Sequence, residues 1–148
     1  MNMFQQRREA LLLQDVSAIN RWLSDFELTE PAVALLQPSG ETLRIRNFPL
    51  PEQYQPDHVS LAMVVRDYPT DPPKGMYLLR TTNNARVIDA LSQRFNVFQG
   101  QVFHGAPPIA GFAWVCVGYL SGWRFNARQP HKGDNIQKML AEFWRLLA

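Results

Sequence analysis

The stretch "HVSLAMVVRDYPTDPPKGMYLLR", residues 58–80, decides how the rest of the chain is read. Val59, Leu61, Met63 and Val65 fall at every second position, the spacing that sends alternate side chains to one face of a strand. "MYLLR", closing the stretch, is short and apolar and reads as the next strand. Between the two lies "YPTDPPKG", where three prolines fix φ and remove backbone donors, so the link is a stiff turn.

Upstream, "AVALLQPSGETLRIRNF" places two apolar segments around Pro38-Ser39-Gly40, the pattern of a hairpin. In its second arm Leu43 and Ile45 alternate with Arg44 and Arg46, as in a sheet with one wet face. "PLPEQYQPD" is a proline-broken loop between this hairpin and the third strand. Residues 4–26 form an amphipathic helix: Leu12, Val16, Ile19, Leu23 and Phe26 make one stripe, with Arg7, Arg8, Glu9 and Asp15 elsewhere. Pro31 bars its continuation.

Downstream, "NNARVIDALSQRF" reads as an inserted helix capped by Asn84, and "QGQVFHGAPPIAG" as a loop. An apolar segment around Cys116 follows. "GDNIQKMLAEFWRLLA" is the closing helix, with Asp134 as its cap, Gln137 at the capping-box position, and Ile136, Met139, Leu140, Phe143 and Leu147 on its buried side. The reading is a single α+β domain over residues 1–148: an N-terminal helix, a four-stranded antiparallel meander, an inserted helix and a C-terminal helix.

Bulk properties exclude some function classes. The 148 residues suffice for one core without disulfides, and no apolar run has the length of a membrane helix. A net charge of +2, with basic residues dispersed, lends no support to nucleic-acid binding. A single cysteine and the lack of a secretory h-region point to a reducing, cytoplasmic setting. The three histidines are far apart and no CxxC or HxxxH spacing occurs, so no metal site is expected. No phosphate-cradling loop is present either, and no cofactor is expected.

Two features carry a resemblance to a known family. Tyr68-Pro69-Thr70-Asp71-Pro72-Pro73, directly after the third strand, resembles the Tyr-Pro-x-x-Pro-Pro element of ubiquitin-conjugating enzymes. Cys116, then Trp123, then a loop with Pro130 and an amphipathic helix, resembles that family's catalytic cysteine, tryptophan and central helix. The resemblance runs in order over most of residues 4–148 and suggests a divergent, bacterial-type member. It departs from the family in three ways. The His-Pro-Asn before the cysteine is replaced by Phe103-His104-Gly105-Ala106-Pro107 without the Asn, a helix is inserted before the cysteine, and typical members add two further helices.

The resemblance implies that Cys116 accepts a ubiquitin-like modifier as a thioester from an activating enzyme and passes it to an amine of a protein substrate. Cysteine suits this step because its thiolate is nucleophilic near neutral pH. The opposing reading is that Cys116, set between Val115 and Val117, is one more core residue, since free cysteine is among the most buried types. By the same analogy His104 is a supporting residue, or a packing one. Asn126 is a candidate amide for the oxyanion, or a turn residue. Arg7 and Arg8 are candidate contacts to the activating enzyme, or solvated helix residues. If Cys116 is structural, the same fold serves as a non-catalytic binding module. If the prolines are coincidental, an unrelated α+β ligand binder remains. Twelve of the fifteen basic residues are Arg, and few lysines limit self-modification by an activated acyl group.

Overall fold

A computed structural model describes residues 2–54, 58–99, 105–116 and 122–148. The element order is α1 (Met3–Leu23), β1 (Val33–Leu36), β2 (Thr42–Pro49), β3 (His58–Val64), β4 (Met76–Leu79), α2 (Ala85–Ser92), β5 (Asn96–Gln99), β6 (Phe112–Cys116) and α3 (Ile136–Leu147). The fold is α+β, and among the described residues its sheet has six antiparallel strands in the order β1-β2-β3-β4-β6-β5.

The first four strands are neighbours in chain order, but the expected four-stranded sheet is two strands too small. Residues 96–99 are a strand, and so is the segment that ends in Cys116. Val97 pairs with Val115 and Phe98 with Trp114, while β6 also pairs with β4 through Met76↔Val115 and Leu79↔Phe112. Phe112, Ala113, Trp114 and Val115 are all buried, so β6 carries no polar alternation to mark it as a strand.

Helices α1, α2 and α3 all contribute to the core on one face of the sheet. Leu12, Ile19 and Leu23 of α1, Val87, Ile88 and Leu91 of α2, and the expected side of α3 meet Leu43, Ile45, Leu61, Met63, Met76, Leu78, Ala113 and Val115. Each such side chain, fully withdrawn from water, contributes about 1.5–3 kcal/mol. The opposite face carries a smaller cluster of Ala62, Tyr77, Phe112 and Trp114, covered by Ala106 and Ile109. Tyr77 Oη donates to the Pro107 carbonyl at 2.7 Å, holding that cover down.

Three local expectations are corrected. Asp15, assigned to the wet side of α1, is buried at 8% exposure. It sits one residue from Val16 on the helix, and the side chain that reaches into the molecule is the carboxylate while Val16 is only half-buried. The cap of α3 is Asn135, whose side chain accepts from Lys138 N at 2.9 Å; Asp134 instead accepts from Arg124 N at 2.6 Å. Asn84 precedes α2, but its side chain turns back to Thr81 N and the Leu79 carbonyl and makes no cap bond to the helix.

Candidate functional site

Cys116 is the last residue of β6. Within that strand Ala113 and Val115 face the helices, so Phe112, Trp114 and Cys116 face the other way. Its side chain is half-buried at the margin of the smaller cluster. Met76 pairs with Val115, so Cys116 lies at the end of an interior strand, where the proline link from β3 enters β4.

That link is built tightly around two tryptophans. Gly75, at φ +88°, lies under the Trp114 indole: a Cβ there would stand 2.5 Å from Trp114 Nε1. The same indole nitrogen donates to the Lys74 carbonyl at 2.6 Å. Trp123 Nε1 donates to the Pro69 carbonyl at 3.0 Å, and the ring meets Tyr68 edge-on with centroids 6.2 Å apart. The Tyr68–Pro69 peptide is cis. The two segments that carried the family resemblance are therefore in contact with one another.

Directly across the β5–β6 ladder from Cys116 stands Asn96. Cross-strand neighbours place their Cβ atoms about 4.5–5.5 Å apart on one face. Asn96 is exposed, and its amide is the polar side chain that the ladder brings beside the thiol. Sequence reading missed it because Asn96, Val97 and Phe98 fall in no element, between the inserted helix ending at Phe95 and the loop starting at Gln99; the signal is the pair of strand-favouring residues Val97 and Phe98.

The other candidates are distributed differently. His104 lies outside the described residues. Asn126 is engaged in a turn, its Oδ1 accepting from Arg128 N at 3.1 Å and Gln129 N at 3.0 Å. That turn belongs to a clasped loop in which Asp134 N donates to the Arg124 carbonyl at 2.8 Å, and Gly133 passes so close that a Cβ would meet Asn126 N at 2.5 Å. Arg7 is exposed on α1. Arg8 is half-buried and straps α1 to the sheet, donating to the Gly40 carbonyl at 3.0 Å and to the Val65 carbonyl.

A groove of about 620 Å³ runs between α1 and the segment before α3, lined by Leu13, Gln14, Ser17, Arg21, His131 and Asn135. Asp15 lies at its floor and accepts a hydrogen bond from Tyr68 Oη. Burial pushes the Asp15 carboxyl up to about 6, against the opposing pull of the Tyr68 bond. Burial, then the bond to Asp15, pushes the Tyr68 hydroxyl up. Among the described residues no group of three His, Cys, Asp or Glu side chains is placed to hold a metal ion. No described helix is long and apolar enough to cross a membrane.

No protein-family model, curated protein or solved structure matches the chain.

Proposed function

We propose that the chain is a thioester carrier of the ubiquitin-conjugating kind, with Cys116 as the nucleophile. The observation that supports this reading best is the meeting point around Cys116. The half-buried thiol ends β6 beside the proline link, and Trp123, downstream of it, is hydrogen-bonded to that link. Asn96, across the ladder, is the candidate amide donor to the oxyanion.

In the first step the Cys116 thiolate attacks the thioester carbonyl joining a ubiquitin-like modifier to its activating enzyme. The new C–S bond forms as the old one breaks, and the activating enzyme's thiolate leaves. In the second step an amine of a protein substrate attacks the same carbonyl. The C–S bond to Cys116 breaks, an amide forms, and the surplus proton of the amine passes to solvent.

The test is a non-reducing gel after incubation with ATP, an activating enzyme and its ubiquitin-like modifier. The expected band is heavier by one modifier, collapses with thiol reductant, and is absent from Cys116→Ala. An activating enzyme that charges itself but passes nothing to this chain would overturn the carrier reading.

One observation favours a second reading, a binding module of the same fold. Cys116 packs at the margin of the cluster built on Tyr77 and Trp114, as a structural residue would. Under that reading Cys116→Ala costs stability and changes no transfer.

A further inference from the structure

Asp15 and Tyr68 come from elements 53 positions apart, and their hydrogen bond joins α1 to the proline link. Tyr68 is also the centre of an aromatic group: Trp123 meets its ring edge-on at 6.2 Å and Phe125 at 6.0 Å. Trp123 is tied to the residue after Tyr68 through the Pro69 carbonyl. A displacement of the Tyr68 hydroxyl is thus passed to Trp123 and Phe125, through packed rings rather than through solvent.

The surroundings of the Asp15 carboxyl are asymmetric. On the protein side it is buried and accepts from the Tyr68 hydroxyl. On the other side is the groove, where the charged and titratable groups are Arg21 from its own helix and His131 from the segment before α3; Gln14, Ser17 and Asn135 are neutral. The hydrogen bond from the Tyr68 hydroxyl is charge-assisted when Asp15 is ionised, so a carboxylate holds Tyr68 more strongly than a neutral carboxyl does, while burial opposes the charge.

We propose that the Asp15–Tyr68 pair is a proton-operated latch: an ionised Asp15 holds α1, Tyr68 and Trp123 together through the bond it accepts from the Tyr68 hydroxyl, and its protonation loosens that contact. The proposal does not depend on any chemistry at Cys116. The burial that raises the Asp15 carboxyl toward 6 puts the transition within the range a cell experiences.

The test uses the full chain labelled with 5-fluorotryptophan, with the Trp123 fluorine resonance assigned by its loss in Trp123→Phe. Between pH 4.5 and 8 that resonance should titrate with a midpoint near 6, and be flat in Asp15→Asn. Because the Tyr68 bond favours the ionised carboxyl, Tyr68→Phe should move the midpoint upward, which supplies a second readout if Asp15→Asn folds poorly. His131→Gln should leave the midpoint in place. A flat wild-type profile, a titration that survives in Asp15→Asn, or one that vanishes in His131→Gln would each overturn the latch.

Discussion

The side chain of Asn20 holds both backbone polar groups of Ala34: its Oδ1 accepts the N–H at 2.8 Å and its Nδ2 donates to the C=O at 3.1 Å. Ala34 is in β1, an edge strand, and these are the groups it turns away from β2. A helix residue thus seals the edge on which another chain would add a strand. Asn20→Ala leaves a part-buried donor and acceptor without partners, a loss of about 1–3 kcal/mol. Urea unfolding should show that loss and light scattering a concentration-dependent association. Unchanged midpoint and monodispersity would remove the sealing role.

Gly75 and Trp114 are similarly interdependent. Gly75→Ala demands a positive φ of an L side chain and puts a methyl 2.5 Å from the indole nitrogen. The indole must move and its bond to the Lys74 carbonyl is lost. The expected destabilisation exceeds about 3 kcal/mol, since strain, clash and a broken hydrogen bond coincide. A shift below about 0.5 kcal/mol in chemical unfolding would mean that this link is less tightly built than described.

Arg7 and Arg8 are adjacent in sequence and opposite in role. Arg8→Ala removes the donors to the Gly40 and Val65 carbonyls and should cost about 1–3 kcal/mol. Arg7→Ala, at an exposed position, should stay within about 0.5 kcal/mol of wild type. Equal effects in a thermal melt would contradict the strap.

The Asp15 carboxyl gives stability a pH dependence of unusual sign for an acid. Its value in the folded chain, about 6, lies above its ordinary 3.8, so the fold binds a proton that the unfolded chain releases. That contribution is complete below about pH 4 and is lost as pH rises through 6, with an upper bound of about 3 kcal/mol. The stability of wild type minus that of Asp15→Asn should therefore fall between pH 4 and 6.5. A difference that is constant over this window would show that Asp15 does not titrate there.

If Cys116 carries a thioester, the two asparagines separate cleanly. Asn96→Ala should load normally yet discharge to free lysine about 10²-fold more slowly, the scale of losing one oxyanion donor. Asn126→Ala should change discharge by less than about threefold, because its side chain is engaged in a turn. Single-turnover discharge on a non-reducing gel reads both. The reverse ranking would return the oxyanion role to Asn126.

Much of the frame was legible in the residues. Strands β2 and β3 show period-two alternation because one face of each is less deeply buried than the other. The face of α3 was read completely, since Ile136, Met139, Leu140, Phe143 and Leu147 repeat at helical spacing. The proline link announced itself through φ restriction alone. Strands β5 and β6 did not, because β6 is buried on both faces and so shows no alternation. The burial of Asp15 was equally hidden: its partner Tyr68 lies 53 residues away, and local pattern treats a carboxylate as a surface residue.

Composition and local spacing by themselves determined the class of fold, the three helices, the meander and the proline link, because those depend on backbone restriction and on side-chain periods within a few residues. Tertiary structure alone decided that Asn96 stands across from Cys116, that Asn20 seals an edge, and that Asp15 is held by Tyr68. Each of these is a pairing between residues separated by 14 to 53 positions, set by strand register and helix packing. Hydrophobic period carries no information about register between distant segments, so these partners emerge only when the sheet is assembled.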